Sequence, residues 1–264
     1  MVLSLFSNLY HNFLKRKSKE YGLIGKSLGH SFSKTYFTAK FEEAESDETY
    51  ENFELSSIRD FPELLKSRDL KGLNVTIPYK EDIIPFLNKL SPEAKQIGAV
   101  NTVKFEENGQ LIGHNTDAFG FHQSIKPFLR GDCHRALILG TGGASKAVQY
   151  VLEGIGIDCF FISRNPKGER QYSYSEINEN MVSTMGLIVN TTPLGTSPNI
   201  DECPDFPFEF LTENHHVYDL IYNPEKTKFL HFSEMNGATI QNGYQMLIHQ
   251  AEKAYEIWNS SSRV

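Results

Sequence analysis

A glycine-rich string between a strand and a helix is the feature that most restricts how this chain can fold. Arg135–Gly140 (RALILG) has the apolar run of a buried strand, and Gly143–Ile155 has the pattern of a helix. The joining residues are Gly140, Thr141, Gly142, Gly143, Ala144 and Ser145. Glycines allow a tight turn and a close approach of the backbone to a pyrophosphate, whose charge the free amides of the helix start attract. The string predicts a Rossmann-like lobe that binds a dinucleotide. A glycine turn without a ligand is the alternative, because Ser145 departs from the usual sixth glycine.

The residues after the next strand indicate which dinucleotide would bind. Strand Asp158–Ser163 is followed by Arg164, Asn165, Pro166 and Lys167, with no acidic residue among them. An NAD site usually has a carboxylate at this point, which holds the ribose 2′-hydroxyl. Arg164 can instead bind a 2′-phosphate through two hydrogen bonds, Lys167 adds a positive charge, and Ser163 is a neutral donor. We therefore predict that the cofactor is NADP.

Strands and helices alternate along the rest of the chain. The second half has predicted strands at Leu187–Thr191, Val217–Tyr222 and Ala238–Ile240, and a closing amphipathic helix at Tyr244–Trp258. The first half has predicted strands at Tyr21–Gly25, Tyr50–Leu55 and Lys71–Thr76, and predicted helices at Ser33–Ala44, Ile58–Ser67, about Pro78–Leu90 and about Asp117–Arg130. Asn108-Gly109, between strands Val100–Glu106 and Gln110–Asn115, predicts an antiparallel hairpin with a type I′ turn.

This order predicts an α/β protein of two lobes, the first with a mixed sheet and the second Rossmann-like. We assign residues 1–20 to an N-terminal extension, 21–116 to the first domain and 117–243 to the NADP-binding domain. The C-terminal helix, 244–264, is expected to complete the first domain. Residues near Thr116–Gly120 and Asn242–Gly243 are expected to act as hinges, with glycines 120 and 243 providing backbone freedom.

Composition and charge exclude several classes of protein. The formal net charge of -7 argues against a nucleic-acid groove, and the three cysteines match no metal-ligand spacing. We therefore predict no metal and no nucleic-acid partner. No segment has the roughly 18 apolar residues of a membrane span. The first twenty residues place their lysines after the apolar stretch, unlike a secretory signal. For these residues a surface extension is the favoured interpretation, and a membrane-surface helix is the alternative. Without an export signal, we predict a cytoplasmic protein. We expect it to be a monomer or a homodimer.

Four polar strings in the first half follow predicted strands or end them. They are Gly25–Ser33 (GKSLGHSFS), Asn74–Lys80 (NVTIPYK), Gly98–Thr102 (GAVNT) and Gly113–Gly120 (GHNTDAFG). Ligands of open α/β sheets bind beyond the carboxyl ends of the strands. The side chains that can hydrogen-bond a polyol or carboxylate there are Ser31, Ser33, Thr76, Asn101 and Asn115. Lys80 and Asp117 can move protons.

This set of strings, in this order, resembles the shikimate dehydrogenase family from Tyr21 to about Trp258. The most specific strings are NVTIPYK, GAVNT and NTD, followed by GTGGAS, Asn190–Gly195 (NTTPLG), Asp219–Asn223 (DLIYN) and Gly243–Gln250 (GYQMLIHQ). The resemblance implies reversible reduction of 3-dehydroshikimate to shikimate with NADPH, and makes the first lobe the substrate-binding and catalytic domain. Two departures, Lys34 and Lys26-Ser27, stand where the family usually has proline and Asn-Pro, and they put the rigidity of the serine loop in question.

The resemblance also implies a role for each matching residue. Lys80 and Asp117 are similar to the family's catalytic pair. Ser31 and Ser33 are similar to the residues that hold the substrate carboxylate, and further substrate contacts fall on Thr76, Asn101, Tyr222 and Gln250. The cofactor contacts fall on the glycine string and on Ser163, Arg164, Thr192, Leu220 and Gly243.

Each assignment has a purely structural alternative. Lys80 could be a solvated lysine at a helix start, Asp117 a helix N-cap, and Gln250 a satisfied core amide. In the catalytic interpretation Lys80 supplies the proton during reduction and stabilises the developing oxyanion, while Asp117 orients it. The alternative functions are a quinate/shikimate dehydrogenase that uses NAD, for which an acid near Ser163–Asn165 is missing, and a non-catalytic NADPH-binding sensor.

Overall fold

Alternation of short apolar strands with helices builds two six-stranded sheets, one from each half of the chain. The computed structural model describes residues 19–29 and 31–260. Most of the expected N-terminal extension, His30 and the last four residues of the expected C-terminal helix lie outside the described residues. The predicted fold class, α/β with a mixed-sheet lobe and a Rossmann-like lobe, is confirmed.

The first sheet is mixed, and its strands come in the order β2-β1-β3-β5-β6-β4. These strands are β1 (Glu20–Gly25), β2 (Thr49–Glu54), β3 (Leu70–Val75), β4 (Lys89–Leu90), β5 (Thr102–Phe105) and β6 (Leu111–His114). β1 runs parallel to β2 and β3, whereas β5 is antiparallel to β3 and β6. Its accompanying helices are α1 (Phe32–Glu43), α2 (Phe61–Ser67) and α3 (Pro92–Ile97).

The second sheet is parallel throughout, and its strands come in the order β12-β11-β10-β7-β8-β9. These strands are β7 (Arg135–Leu139), β8 (Asp158–Ile162), β9 (Gln171–Tyr172), β10 (Leu187–Asn190), β11 (His216–Asp219) and β12 (Thr239–Gln241). Its accompanying helices are α4 (Thr116–Ile125), α5 (Gly143–Gly154), α6 (Glu179–Ser183) and α7 (Lys228–Met235). The chain leaves β7 to one side toward β8 and returns on the other side at β10. This reversal of strand order opens a crevice at the carboxyl ends of β7 and β10, where ligands bind in such sheets.

The last helix, α8 (Tyr244–Asn259), returns to the first sheet and packs against it through Trp258. The indole ring of Trp258 stacks on Tyr21 at a centroid distance of 4.8 Å, and its Nε1 donates to the Val103 carbonyl over 3.1 Å. A Cβ at Gly72 would lie 2.3 Å from this ring. Glycine at position 72 is therefore what allows the indole to lie flat on the sheet. Among the described helices, none is long and apolar enough to cross a bilayer.

The first of two wrong local predictions concerns the segment that follows β3. Residues 78–83 form turns, a 3₁₀ turn covers Ile84–Phe86, and a short strand follows, where we predicted one helix over Pro78–Leu90. Pro85 has no N–H to donate, and the Asn88 amide donates to Leu111 of the neighbouring strand instead of to a helical carbonyl.

The hairpin between β5 and β6 forms as predicted, but its loop is not the two-residue type I′ turn. Gly109 has a positive φ of 81°, whereas Asn108 is not among the described residues with positive φ. The Gly109 amide donates to the Glu106 carbonyl and the Glu106 amide to the Gln110 carbonyl. These bonds define a three-residue loop with a left-handed glycine at its end, which is the next commonest hairpin connection.

Candidate functional site

A lysine and an aspartate form a close ion pair at the carboxyl end of the first sheet. Lys80 lies in the turn that follows β3, and Asp117 is the second residue of α4. Their Nζ and Oδ2 atoms are 2.6 Å apart, and the two side chains are 16% and 10% exposed. The Lys80 carbonyl accepts from the Val100 amide over 2.7 Å, which fixes the lysine backbone to the GAVNT segment. The ammonium is thus held in place yet still reaches the surface of the cleft.

Asn101 orients the aspartate from the opposite side. Its Nδ2 donates to Asp117 Oδ1 over 2.9 Å, and its Oδ1 accepts from the Thr116 amide over 2.7 Å. Its Nδ2 also lies 3.5 Å from Gln250 Oε1, and the Gln250 amide donates to its own helix at Leu247. Asn101 and Gln250 are both buried and both have partners within the protein. Contact of either side chain with a substrate stays a prediction.

The cap of α4 is Asn115, not Asp117. The Asn115 side-chain oxygen accepts from the Ala118 amide over 3.1 Å, and its Nδ2 donates to the Ala99 carbonyl over 3.0 Å. The interpretation of Asp117 as an N-cap is therefore wrong. Contact of Asn115 with a polyol stays a prediction. Asp117 still gains from its place in the first helical turn, because the helix dipole favours a negative charge there.

The serine loop leads into α1 and faces Tyr222 from the second lobe. Ser31 caps α1, since its Oγ accepts from the Lys34 amide over 3.2 Å. Ser31 and Tyr222 line one open cavity of about 720 Å³, and the Phe32 ring contacts the Tyr222 ring at a centroid distance of 5.7 Å. Ser33 lies within hydrogen-bonding reach of Tyr50, where it opposes the burial that raises the pKa of that phenol.

Contacts with β2 hold the serine loop at several points. Lys34 pairs with Glu51 over 2.7 Å. Two side chains of β2 hold the Leu28 backbone: Glu54 accepts from its amide over 2.6 Å, and Asn52 donates to its carbonyl over 3.0 Å. A Cβ at Gly25 would lie 2.7 Å from Thr76 Cγ2, which places Thr76 directly against the start of this loop.

The glycine string forms a cradle at the crevice of the second sheet. Gly140 has a φ of 105°, and a Cβ there would lie 2.7 Å from Thr191 Oγ1 and 3.2 Å from Thr192 Cγ2. Gly142 stands at the cap position of α5, and no side chain caps its first amides. Ser145 is buried and donates to the Gly142 carbonyl over 2.6 Å, which stabilises the turn from inside. Thr141, Gly142, Gly143 and Ala144 keep exposed or half-buried positions along the cradle. The uncapped amides and the three glycines suit a pyrophosphate.

Arg164 follows β8, and its guanidinium has no ion-pair partner among the described residues. It is exposed and, among the described residues, makes no hydrogen bond or ion pair. The nearby Arg170 differs, because it pairs with Asp158 over 3.0 Å. Ser163 turns the chain here by accepting from the Asn165 amide over 3.2 Å. A free guanidinium at the end of β8 fits a 2′-phosphate.

The sequence analysis assigned no role to Asp219, although this residue begins the string DLIYN and its carboxylate orders the loops beside the crevice. It is fully buried and accepts from Thr227 Oγ1 over 2.6 Å, from Asn190 Nδ2 over 3.0 Å and from the Ile221 amide over 3.1 Å. Burial raises the pKa of Asp219 to about 6, against the lowering effect of these donors. Asn190 extends this hydrogen-bond network to the next loop, because its Oδ1 accepts from both the amide and the hydroxyl of Thr192.

Leu220 and Gly243 touch closely beside this network. A Cβ at Gly243 would lie only 2.0 Å from the Leu220 carbonyl oxygen, so any other residue would push the two segments apart. The Gly243 amide donates to the Ile221 carbonyl over 3.0 Å. The loops that carry Thr192, Leu220 and Gly243 are therefore joined into one wall of the crevice.

The two halves of the site meet at Lys80. A Cβ at Gly143, in the glycine string, would lie 3.8 Å from the Cβ and Cδ atoms of Lys80. Glu81, the next residue, pairs with Lys146 of α5 over 2.7 Å. The Lys80–Asp117 pair thus opens onto the nucleotide cradle. Within the part of the chain that the structure describes, no three His, Cys, Asp or Glu side chains are grouped to hold a metal ion.

Comparison with known proteins gives one consistent result. The family model described as "Shikimate dehydrogenase substrate binding domain" matches residues 23–103. A shikimate dehydrogenase (NADP(+)) of Desulforamulus reducens is 35% identical over 274 residues, covering 94% of this chain and 92% of that protein. The solved shikimate 5-dehydrogenase of Thermus thermophilus, in complex with NADP(H) and shikimate, is 30% identical with a TM-score of 0.80 and covers 91% of this chain and 93% of its own. A quinate dehydrogenase from Corynebacterium glutamicum, in complex with NAD, is 27% identical with a TM-score of 0.81 and covers 92% and 94%.

Proposed function

The chain belongs to the shikimate dehydrogenase family, and from this premise we propose that Lys80 and Asp117 move the proton in its reaction. The protein is an NADP-dependent oxidoreductase that acts on a CH–OH group. Its reaction is the reversible reduction of 3-dehydroshikimate to shikimate, in the shikimate pathway of aromatic amino acid biosynthesis.

The residues present fit NADP. The cradle of Gly140 to Ser145 would hold the pyrophosphate, and Arg164 with Ser163 would hold the 2′-phosphate. The wall that carries Thr192, Leu220 and Gly243 would hold the ribose and nicotinamide. The cofactor, when bound, supplies or accepts the hydride. The support for this assignment is the set of uncapped α5 amides and the exposed Arg164 guanidinium at the end of β8.

Lys80 acts as the general acid during reduction. Its ammonium donates a proton to the carbonyl oxygen of the substrate, and its charge stabilises that oxygen as negative charge develops. In the oxidation direction the neutral amine takes the hydroxyl proton back. Asp117 keeps the ammonium in position through Oδ2, while Asn101 holds the carboxylate through Oδ1.

The remaining predicted contacts hold the substrate in the cleft. Ser31 and Ser33 bind the carboxylate, and Thr76, Asn101, Tyr222 and Gln250 contact the ring hydroxyls. The shared cavity of Ser31 and Tyr222 supports this proposal for the two residues. Asn101 would have to exchange a partner within the protein for the substrate, whereas Gln250 has a second N–H to donate.

The proposal includes the division of the chain, its location and its assembly. Residues 21–116 and helix 244–264 form the substrate domain and 117–243 the NADP-binding domain. This division is supported by the two separate sheets and by the packing of Trp258 on the first of them. The protein works in the cytoplasm as a monomer or homodimer. Three free cysteines are consistent with that location.

The observation that carries the proposal is the Lys80–Asp117 ion pair beside the glycine cradle, where a Cβ at Gly143 would be in van der Waals contact with the Lys80 side chain. Steady-state assays with shikimate and with quinate, each with NADP and with NAD, test it. We expect the highest kcat/KM for shikimate with NADP. A preference for quinate with NAD would favour the quinate/shikimate alternative, and NADPH binding without turnover of either substrate would indicate a sensor.

A further inference from the structure

Two oppositely charged side chains bridge the cleft immediately beside the reacting lysine. Glu81 directly follows Lys80 in the turn after β3, and Lys146 is the fourth residue of α5, directly after Ser145 at the end of the glycine cradle. Their Oε1 and Nζ atoms are 2.7 Å apart, with 50% and 38% of the side chains exposed. Other exposed ion pairs lie within one lobe: Lys34–Glu51 joins α1 to β2 of the first sheet, and Asp158–Arg170 joins β8 to the residue before β9 of the second.

The Glu81–Lys146 pair lies where it can fix the position of the active-site lysine. Lys80 and Glu81 are adjacent, so fixing the Glu81 side chain to α5 also fixes the turn that carries the ammonium. At this point a Cβ at Gly143 would lie 3.8 Å from the Lys80 side chain. The Lys80 ammonium is itself held by Asp117 over 2.6 Å. Opening the cleft would break the Glu81–Lys146 contact and move Lys80 away from the cradle.

The other end of the cleft has a contact of a different kind. Phe32 of α1 packs edge-on against Tyr222, at 5.7 Å between centroids, and against Tyr244, at 6.0 Å. These ring contacts are apolar and depend little on charge. Among the exposed ion pairs of the described residues, the Glu81–Lys146 pair is therefore the one whose charges can affect closure of the lobes.

We infer that Glu81 and Lys146 are a positioning pair that latches the two lobes in the arrangement in which Lys80 faces the nucleotide cradle. This inference rests on the proposed function of Lys80. The pair itself touches neither the proton being moved nor, in this inference, the cofactor phosphates. Its contribution is to the fraction of molecules whose cleft is closed.

A double-mutant cycle tests the latch, with Glu81→Gln, Lys146→Gln and the double variant. Each single change removes the same contact, so we expect each to slow single-turnover NADPH oxidation at saturating ligands by about three-fold, the size of effect typical of exposed pairs. The double variant should be slowed about three-fold as well, and not about nine-fold. The dissociation constant for NADPH, from fluorescence titration, should change less than about two-fold.

Small-angle scattering of the ligand-free protein provides a readout that does not depend on turnover. We expect the same larger radius of gyration for all three variants, and the wild-type value for the control Asp158→Asn/Arg170→Gln. The latch would be overturned if the rates did not change, or if the two single-variant effects multiplied in the double variant. It would also be overturned by an unchanged radius of gyration, or by a loss of NADPH affinity as large as the loss of rate. The last result would instead make Lys146 a phosphate ligand. A wild-type protein that turns over neither shikimate nor quinate would reject the proposed function, while the scattering result would still report on the latch.

Discussion

The two oxygens of Asp117 serve different partners, and this division explains how one carboxylate can orient a lysine. Oδ2 accepts from the Lys80 ammonium and Oδ1 from the Asn101 amide. Asn101 is in turn fixed by the Thr116 amide. With both oxygens engaged, the carboxylate cannot rotate without losing a charge-assisted hydrogen bond. The ammonium direction is therefore set by the fold before a substrate arrives.

Arg164 provides a test of cofactor choice at a single residue. Arg164→Ala should weaken NADP binding by roughly 1.5–3 kcal/mol, because charged hydrogen bonds to the 2′-phosphate are lost, and should leave NAD binding nearly unchanged. Fluorescence titration of both reduced cofactors measures this. Arg170→Ala is the matched control, since Arg170 is already paired with Asp158. Equal losses for the two cofactors would show that Arg164 does not contact the 2′-phosphate.

Asp219 predicts a specific dependence of stability on pH. Its folded-state pKa of about 6 lies above its ordinary value of 3.8, so the folded protein binds this proton more tightly than the unfolded chain. The resulting stabilisation is present below about pH 4 and is lost as the pH rises through about 6.

Asp219→Asn removes this titration. The free energy of unfolding of the variant minus that of the wild type should increase by up to about 3 kcal/mol between about pH 4 and about pH 7. Urea unfolding at several pH values measures the difference. A difference that stays constant with pH would mean that Asp219 does not titrate in this range.

At the scale of elements, the sequence predicts what local patterns control and misses what long-range contacts control. Apolar runs such as Arg135–Gly140 and Leu187–Thr191 identify buried strands, and both are found. β9 has only two residues and exists because it pairs with β8, so it has no pattern of its own. The segment after Pro78 has helical spacing, yet pairing of its end with β6 overrides that preference.

The candidate site shows the same contrast between features that local patterns predict and features that depend on long-range contacts. Its polar strings identify Lys80, Asp117 and the glycine cradle, because special residues stand at strand ends. The structural alternative for Asp117, a helix N-cap, is wrong, because Asn115 and Asp117 both have capping side chains and only the backbone geometry separates them. Asp219 and the Glu81–Lys146 pair depend on contacts between distant segments, which one sequence does not display.

The packing of α8 on the first sheet can be tested at Gly72. A Cβ there would meet the Trp258 ring at 2.3 Å, so Gly72→Ala should lower the free energy of unfolding by about 1–3 kcal/mol through overpacking. Urea unfolding followed by fluorescence of Trp258, the one tryptophan of the chain, measures it. Gly154→Ala, at the open end of α5 with no atom within 4 Å, is the control and should be neutral or stabilising. Equal effects of the two variants would contradict the packing account.

At the scale of the whole molecule, the two lobes meet at Lys80 and at α8. The hinge prediction for Gly120 and Gly243 needs a different physical basis, since neither glycine has a positive φ. A Cβ at Gly120 would lie 2.5 Å from the Met246 carbonyl oxygen, and one at Gly243 would lie 2.0 Å from that of Leu220. Both glycines therefore permit close packing between segments. Motion of the lobes stays a prediction, and the Glu81–Lys146 cycle with scattering is its test.

The central claim is that Lys80 donates the proton to the substrate carbonyl oxygen during reduction. Single-turnover NADPH oxidation by Lys80→Ala, at saturating NADPH and 3-dehydroshikimate, tests it most directly. We predict a rate at least ~10²-fold below that of the wild type, because general acid assistance is lost, with a dissociation constant for NADPH within about two-fold. Lys89→Ala, an exposed lysine in the same connection, should keep the wild-type rate. A Lys80→Ala rate close to that of the wild type would contradict the claim.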